Sequence, residues 1–192
     1  MAWAAKWKKF SNMGRVMDDL FLPMKVPLRD SLNENMPPPY RFCWQDVFQR
    51  HRNIGLVIDL TKTTRYYPPE TITGSRIEYA KIFVEGHGSI PPRNQVQQFC
   101  DIVDGFLAKD SSRGRVVIVH CTHGLNRTGY MICKYMTLRR NVPPERAIHM
   151  FESARGEKME REGYIADIRS MPSHSNGNTD CRNRFPRLKI TF

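Results

Sequence analysis

The stretch HCTHGLNRTG, His120 to Gly129, follows the apolar run Val116-Val117-Ile118-Val119 and opens into a helical pattern from Thr128. Cys121 and Arg127 bracket five residues, Thr122, His123, Gly124, Leu125 and Asn126. A strand, a short loop and a helix in that order place backbone N–H groups around one anion at a helix N-terminus. The same positive field lowers the pKa of a cysteine at the base of the loop, so that it is a thiolate at neutral pH. An arginine returning over the loop offers a planar fork that matches two oxygens of a phosphate. Gly124 and Gly129 supply backbone freedom where the loop turns and docks. The stretch therefore reads as a thiolate nucleophile facing a bound phosphate. A buried structural cysteine beside a surface arginine would not account for the strand, the two glycines and the helix together.

Cysteine, five residues, arginine, Thr128 and Gly129 together resemble the signature of the protein tyrosine phosphatase superfamily. The longer string HCTHGLNRTGY resembles its RNA 5′-triphosphatase branch, which includes the triphosphatase domain of metazoan mRNA capping enzymes. Within that branch it is most similar to the free-standing RNA 5′-tri- and diphosphatases that interact with RNA and ribonucleoprotein, and to their viral relatives. Lys25-Val26-Pro27-Leu28, IDLTKTTRYY (Ile58 to Tyr67) and ARGEKMEREGYIADI (Ala154 to Ile168) carry the same resemblance, which spans about residues 7 to 170.

The resemblance implies a metal-independent RNA 5′-polyphosphatase without cofactor, which removes the γ- and then the β-phosphate through a phosphocysteine. Cys121 is the nucleophile. Arg127 and the loop residues Thr122 to Asn126 bind the phosphate, and Thr128 offers a hydroxyl to the departing thiolate or caps the helix. His120 orients the loop from inside the domain. Asp59 is read first as a carboxylate pinning neighbouring loops and second as a fallback acid. Arg155, Arg161 and Lys25 are expected at the pocket rim beside the β- and α-phosphates, Arg161 more than Arg155. The implied partners are RNA with a 5′-triphosphate or 5′-diphosphate end and ribonucleoprotein or small-RNA-processing proteins. The implied place is the nucleus or cytoplasm, as a monomer.

Two other readings use the same loop: a dual-specificity protein phosphatase, and a non-catalytic binder of phosphorylated RNA ends. Phosphatases acting on phosphoproteins carry an aspartic acid some thirty residues before the cysteine. It protonates a poor leaving group, since a phenol has a pKa of about 10. The corresponding stretch, VEGHGSIPPRN, has no Asp, and Glu85 and His87 are its only substitutes. A phosphate leaving group, with a second pKa of about 6, needs no such help. Retention of both Cys121 and Arg127 argues against mere binding, which needs no thiolate.

The chain has 192 residues, net charge +11 and five cysteines without a CxxC pair or other metal-ligand spacing. That length suits one core, and the odd number of cysteines reads as free thiols in a reducing compartment. No apolar run approaches membrane-spanning length, and MAWAAKWKKF does not build a signal-peptide core. The basic charge suits a polyanion such as RNA. No aromatic platform for single strands stands out along the chain, so recognition of the RNA end is expected.

Strands alternating with helices imply an α/β domain, with a central mixed sheet flanked by helices and the loop at the carboxyl end of a central strand. Strands are expected at 56–60, 79–84 and 116–119. Helices are expected at 44–51, from 94, and over 128–140, 144–154 and 159–170. Residues 1–40 are expected to be irregular, broken by Pro23, Pro27 and Pro37-Pro38-Pro39. The catalytic domain is expected over 1–170, with a polar basic tail at 171–192.

Overall fold

The computed structural model describes residues 2–73, 76–86 and 88–172. Four strands form its sheet: β1 (Phe21–Lys25), β2 (Ile54–Asp59), β3 (Glu78–Lys81) and β4 (Val116–Cys121), in the order β1-β4-β2-β3. All three pairings are parallel. The expected mixed sheet is thus a parallel one, with antiparallel pairing confined to isolated bridges, Met13 to Met24 and Met17 to Phe21. β2 and β4 are buried along their whole length and apolar almost throughout, as parallel strands covered on both faces must be.

Period-two alternation divides these strands between two cores. Phe21, Leu56, Ile58, Val117 and Val119 face one way. There they meet α5 (Arg93–Leu107), α6 (Asn126–Arg140), α7 (Pro144–Arg155) and α8 (Glu162–Arg169). In α5 the apolar stripe Val96, Phe99, Val103 and Phe106 is buried at helical spacing, as the sequence requires. Leu22, Met24, Val57 and Ile118 face the other way. They are covered by α1 (Ala2–Trp7), α3 (Trp44–Arg50) and the connection after β2, through Trp7, Trp44, Val47 and Tyr67. Short helices α2 (Asp30–Asn33) and α4 (Glu70–Thr73) complete the elements around that face.

The first forty residues depart from expectation because they contain the helices α1 and α2 and the strand β1. Pro23 lies inside β1, which is an edge strand. Proline is tolerated at an edge when the missing N–H would have pointed away from the sheet. Here the Pro23 carbonyl turns outward and accepts from Gly14 N–H at 2.8 Å, while Lys25 N–H donates outward to Asn12 O at 3.0 Å. Residues 12–17 thereby cover the edge. The expected tail falls almost wholly outside the described residues, as does His87.

Ile118 is fully buried in the strand that ends at Cys121. Ile118→Ala is expected to lower the free energy of unfolding by about 2–5 kcal/mol, measured by urea titration followed by fluorescence.

Candidate active site

β4 lies between β1 and β2, so its carboxyl end opens between two neighbouring strand ends. There the chain turns through residues 122–125 and enters α6. Gly129 N–H is bonded to Leu125 O at 2.7 Å. Of the amides ahead of it in α6, that of Thr128 turns to the Cys121 sulfur, and the first-turn amides before it are free for an anion. Gly124 has φ +66° and sits against the Met24 carbonyl and Lys25 amide of β1, where a Cβ would collide with backbone. Both its conformation and its closeness require glycine. Gly129 is constrained by space: a Cβ there would lie 2.6 Å from both Phe151 and the Met159 sulfur.

Cys121 is buried beneath this loop. Burial pushes its thiol up, but the Arg127 charge, the Thr128 hydroxyl and amide, and the Leu125 amide outweigh it and hold the pKa below the ordinary value. Thr128 Oγ1 is buried without an oxygen or nitrogen partner among the described residues, which leaves it to the sulfur.

Arg127 is fixed by the ends of two strand connections. Its Nη1 donates to Leu60 O and Val84 O, both at 3.0 Å, and its Nη2 donates to Thr122 Oγ1 at 3.1 Å. A guanidinium has five N–H donors. Nε–H and the second Nη2–H find no acceptor among the described residues, which leaves two donors for phosphate oxygens.

The side chains of the loop point elsewhere, so its part in anion binding is played by backbone. Leu125 is buried. Asn126 Oδ1 accepts the Glu160 and Arg161 amides at 2.8 and 3.0 Å, tying the loop to the segment before α8. The His123 ring is half-buried against Phe10, with centroids 5.4 Å apart. Burial first, then the Lys6 and Arg127 charges, lower its pKa to about 4, so it is neutral at pH 7.

Two of the expected rim residues lie beneath the loop instead. Arg155 is 1% exposed and donates to Gly124 O at 2.9 Å, His123 O at 3.2 Å and Ser11 O at 2.7 Å. It also donates to Ser11 Oγ and pairs with Glu157 at 2.9 Å. Its guanidinium is consumed by carbonyls behind the loop and braces it. Lys25 is 1% exposed, donates to Trp7 O and Phe10 O at 3.3 and 2.9 Å, and lies 3.6 Å from the Trp7 ring centroid. Burial and the Arg155 charge lower its pKa to about 8 against the opposing effect of Glu157. Arg161 alone of the three keeps its side chain part-exposed. It lies 5.7 Å from the Tyr164 ring centroid and against Gly88, and has no ion pair among the described residues.

A polar network that sequence reasoning did not assemble lies behind the nucleophile. Asp59 Oδ2 accepts from Lys81 at 2.7 Å, Tyr79 at 3.2 Å and Tyr67 at 3.5 Å, while Oδ1 accepts the Thr61 amide at 2.7 Å. Burial raises the Asp59 pKa, yet His120, Lys81 and the Thr61 bond bring it below the usual carboxylate value. These contacts tie Asp59 to β3 and to the connection after β2. The Tyr67 hydroxyl is 2.6 Å from His120 Nε2. Burial depresses the His120 pKa to about 4, Asp59 opposing and the nearby Lys81 and Arg127 charges reinforcing. A neutral, fully buried imidazole thus precedes the cysteine and meets the Tyr67 hydroxyl rather than the phosphate loop. Tyr67 and Lys81 could have been suspected only from the polar residues crowded around IDLTKTTRYY.

Residues 43–173 match the dual specificity phosphatase catalytic domain. The chain belongs to the dual-specificity phosphatase family. It is 38% identical over 179 residues to the RNA/RNP complex-1-interacting phosphatase of Homo sapiens, covering 91% of this chain and 54% of that protein. The chain therefore spans about half the length of that relative. It is also 38% identical over 167 residues to a tyrosine-protein phosphatase of Autographa californica nuclear polyhedrosis virus, covering 85% of this chain and 97% of that protein. Among solved structures, a protein tyrosine phosphatase from Leishmania major superposes with a TM-score of 0.64 at 16% identity, over 84% of this chain and 99% of that one. That likeness establishes the fold. Cys121, Arg127 and Thr128 all fall within the matched residues.

The rate of Cys121 alkylation by iodoacetamide is expected to rise with pH around a midpoint below that of an ordinary thiol, about 8.5. Arg127→Ala removes the largest lowering influence and should move that midpoint upward. An unchanged midpoint would show that the guanidinium does not hold the thiolate.

Proposed function

We propose that this phosphatase acts on 5′-triphosphate and 5′-diphosphate ends of RNA, releasing the γ- and then the β-phosphate. The observation that carries this reading is the commitment of the nearby carboxylates. Asp59 is locked in its network with Lys81, Tyr79 and Thr61. Glu85, exposed at the start of the loop where an acid would be needed, is paired with Lys62. A phosphate leaving group departs without a proton donor, whereas a phenol does not. The basic charge of the chain, +11, suits a polyanionic substrate, and the human relative is named for interaction with RNA and ribonucleoprotein. Ribonucleoprotein is accordingly proposed as a partner here as well.

In this reading the Cys121 thiolate attacks the terminal phosphorus in line. The P–Sγ bond forms as the P–O bond to the next phosphate breaks, and the remaining RNA leaves as a phosphate anion. Loop amides and the free edge of Arg127 hold the equatorial oxygens in both steps. Water then attacks the phosphocysteine, inorganic phosphate departs, and the Thr128 hydroxyl receives the returning thiolate. Arg161 supplies charge for the phosphates behind the scissile one. No step calls for a metal ion.

The test is inorganic phosphate release from 5′-triphosphate RNA, with a phosphotyrosine peptide as the competing substrate. RNA turnover is expected to exceed peptide turnover, to persist in EDTA and to vanish in Cys121→Ser. Faster turnover of the peptide would make the protein a phosphoprotein phosphatase instead. Arg161→Ala should raise KM for the RNA more than for a small phosphate ester, because only the RNA carries phosphates into that part of the mouth.

A further inference from the structure

No single stretch of the sequence offers a platform for single-stranded nucleic acid, but the fold builds one from rings far apart in the chain. The path starts in the phosphate loop itself. His123 packs against Phe10, with centroids 5.4 Å apart, and Lys6 Nζ lies 5.9 Å from the Phe10 centroid. On the other side of α1, Trp3 meets Tyr66 edge-on at 5.3 Å, and the exposed Arg65 guanidinium lies 5.5 Å from Trp3 and 4.9 Å from Tyr66. Trp3 and Phe10 are both part-exposed while Tyr66 is buried behind Trp3, so Trp3 and Phe10 are the rings within reach of a base. α1 therefore joins the catalytic loop to the connection after β2 by a strip in which rings and cations alternate.

The charge on this strip is only partly neutralised in place. Lys6 is paired with Glu160 at 2.7 Å. Arg65 has no carboxylate partner among the described residues, and its guanidinium donates to the Tyr66 hydroxyl at 3.0 Å. Lys8, one residue past the end of α1, repeats the pattern over the exposed ring of Tyr40 at 5.5 Å. Interleaved rings and cations are the chemistry that binds single-stranded nucleic acid: bases stack on π faces and phosphates meet the charges between them. An acidic peptide would be drawn by the cations but has no planar groups to use the rings.

We infer that the strip from Phe10 through Trp3 to Arg65 is a binding track for the first nucleotides of single-stranded RNA leaving the catalytic loop. The inference extends the proposed substrate, and it is tested apart from it by using RNA with no 5′-phosphate. Fluorescence anisotropy measures binding of a labelled 5′-hydroxyl ten-nucleotide RNA to the full chain. Arg65→Ser, at an exposed position that does not endanger folding, should weaken binding several-fold. It should also reduce the steepness of the dependence of log K on log salt by about 0.7, the value of one single-strand phosphate contact. Trp3→Leu should weaken binding by roughly fivefold or more, as loss of a stacked base does.

Unchanged affinity in Arg65→Ser would overturn the track, and so would equal competition from polyglutamate, which would reduce the strip to a generic anion surface. If these variants lose RNA but the wild type releases no phosphate from 5′-triphosphate RNA, the track stands and the catalytic reading falls. If the wild type releases phosphate while Arg65→Ser binds RNA unchanged, the catalytic reading stands and the track falls.

Discussion

A thiolate held away from water is unfavourable unless positive charge and hydrogen-bond donors surround it. Cys121 sits under that constraint, and most of the architecture around it supplies the compensation. The donors of α6 point at the sulfur because the loop ends where the helix begins. Arg127 lies beside it because the Leu60 and Val84 carbonyls, at the ends of two connections from the sheet, hold its guanidinium. The loop keeps its shape because Arg155 fills the space behind it and takes two of its carbonyls. A single buried arginine thus connects α7, the segment at Ser11 and the phosphate loop.

The Asp59 network solves a related problem on the opposite face of the sheet. Lys81 and Asp59 form a buried ion pair, 10% and 5% exposed in their side chains. Such a pair is worth little unless the remaining donors and acceptors are also satisfied. Here Thr61, Thr63, Tyr79 and Tyr67 satisfy them. The result fixes the connection after β2, which carries Leu60 on one side and Arg65 and Tyr66 on the other. One polar cluster therefore sets both an anchor for the catalytic arginine and one end of the proposed RNA track.

The strand, loop and helix that carry Cys121 and Arg127 were legible because local sequence dictates them: five residues between two chemical groups, an apolar strand before and a helical pattern after. β1 was not legible, because Pro23 reads as a breaker until the edge position of its strand is known. Lys25 and Arg155 were misplaced for a different reason. A basic residue near a phosphate motif reads as a ligand, and sequence alone does not say whether its charge faces the mouth or the interior. The aromatic strip was invisible for the same cause, since Trp3, Phe10 and Tyr66 come together only after α1 packs across the sheet.

The sheet order β1-β4-β2-β3 also governs when the chemistry becomes available as the chain is made. β1 is the first strand synthesised, yet its partner β4 begins 91 residues after β1 ends. The brace Arg155 emerges later still. Contacts of such long sequence separation form slowly. Until the loop and its helix take shape, Cys121 lacks the Arg127 charge and the Thr128 and Leu125 donors that lower its pKa. A nascent chain therefore carries this cysteine as an ordinary thiol, and the finished fold is what makes it more acidic.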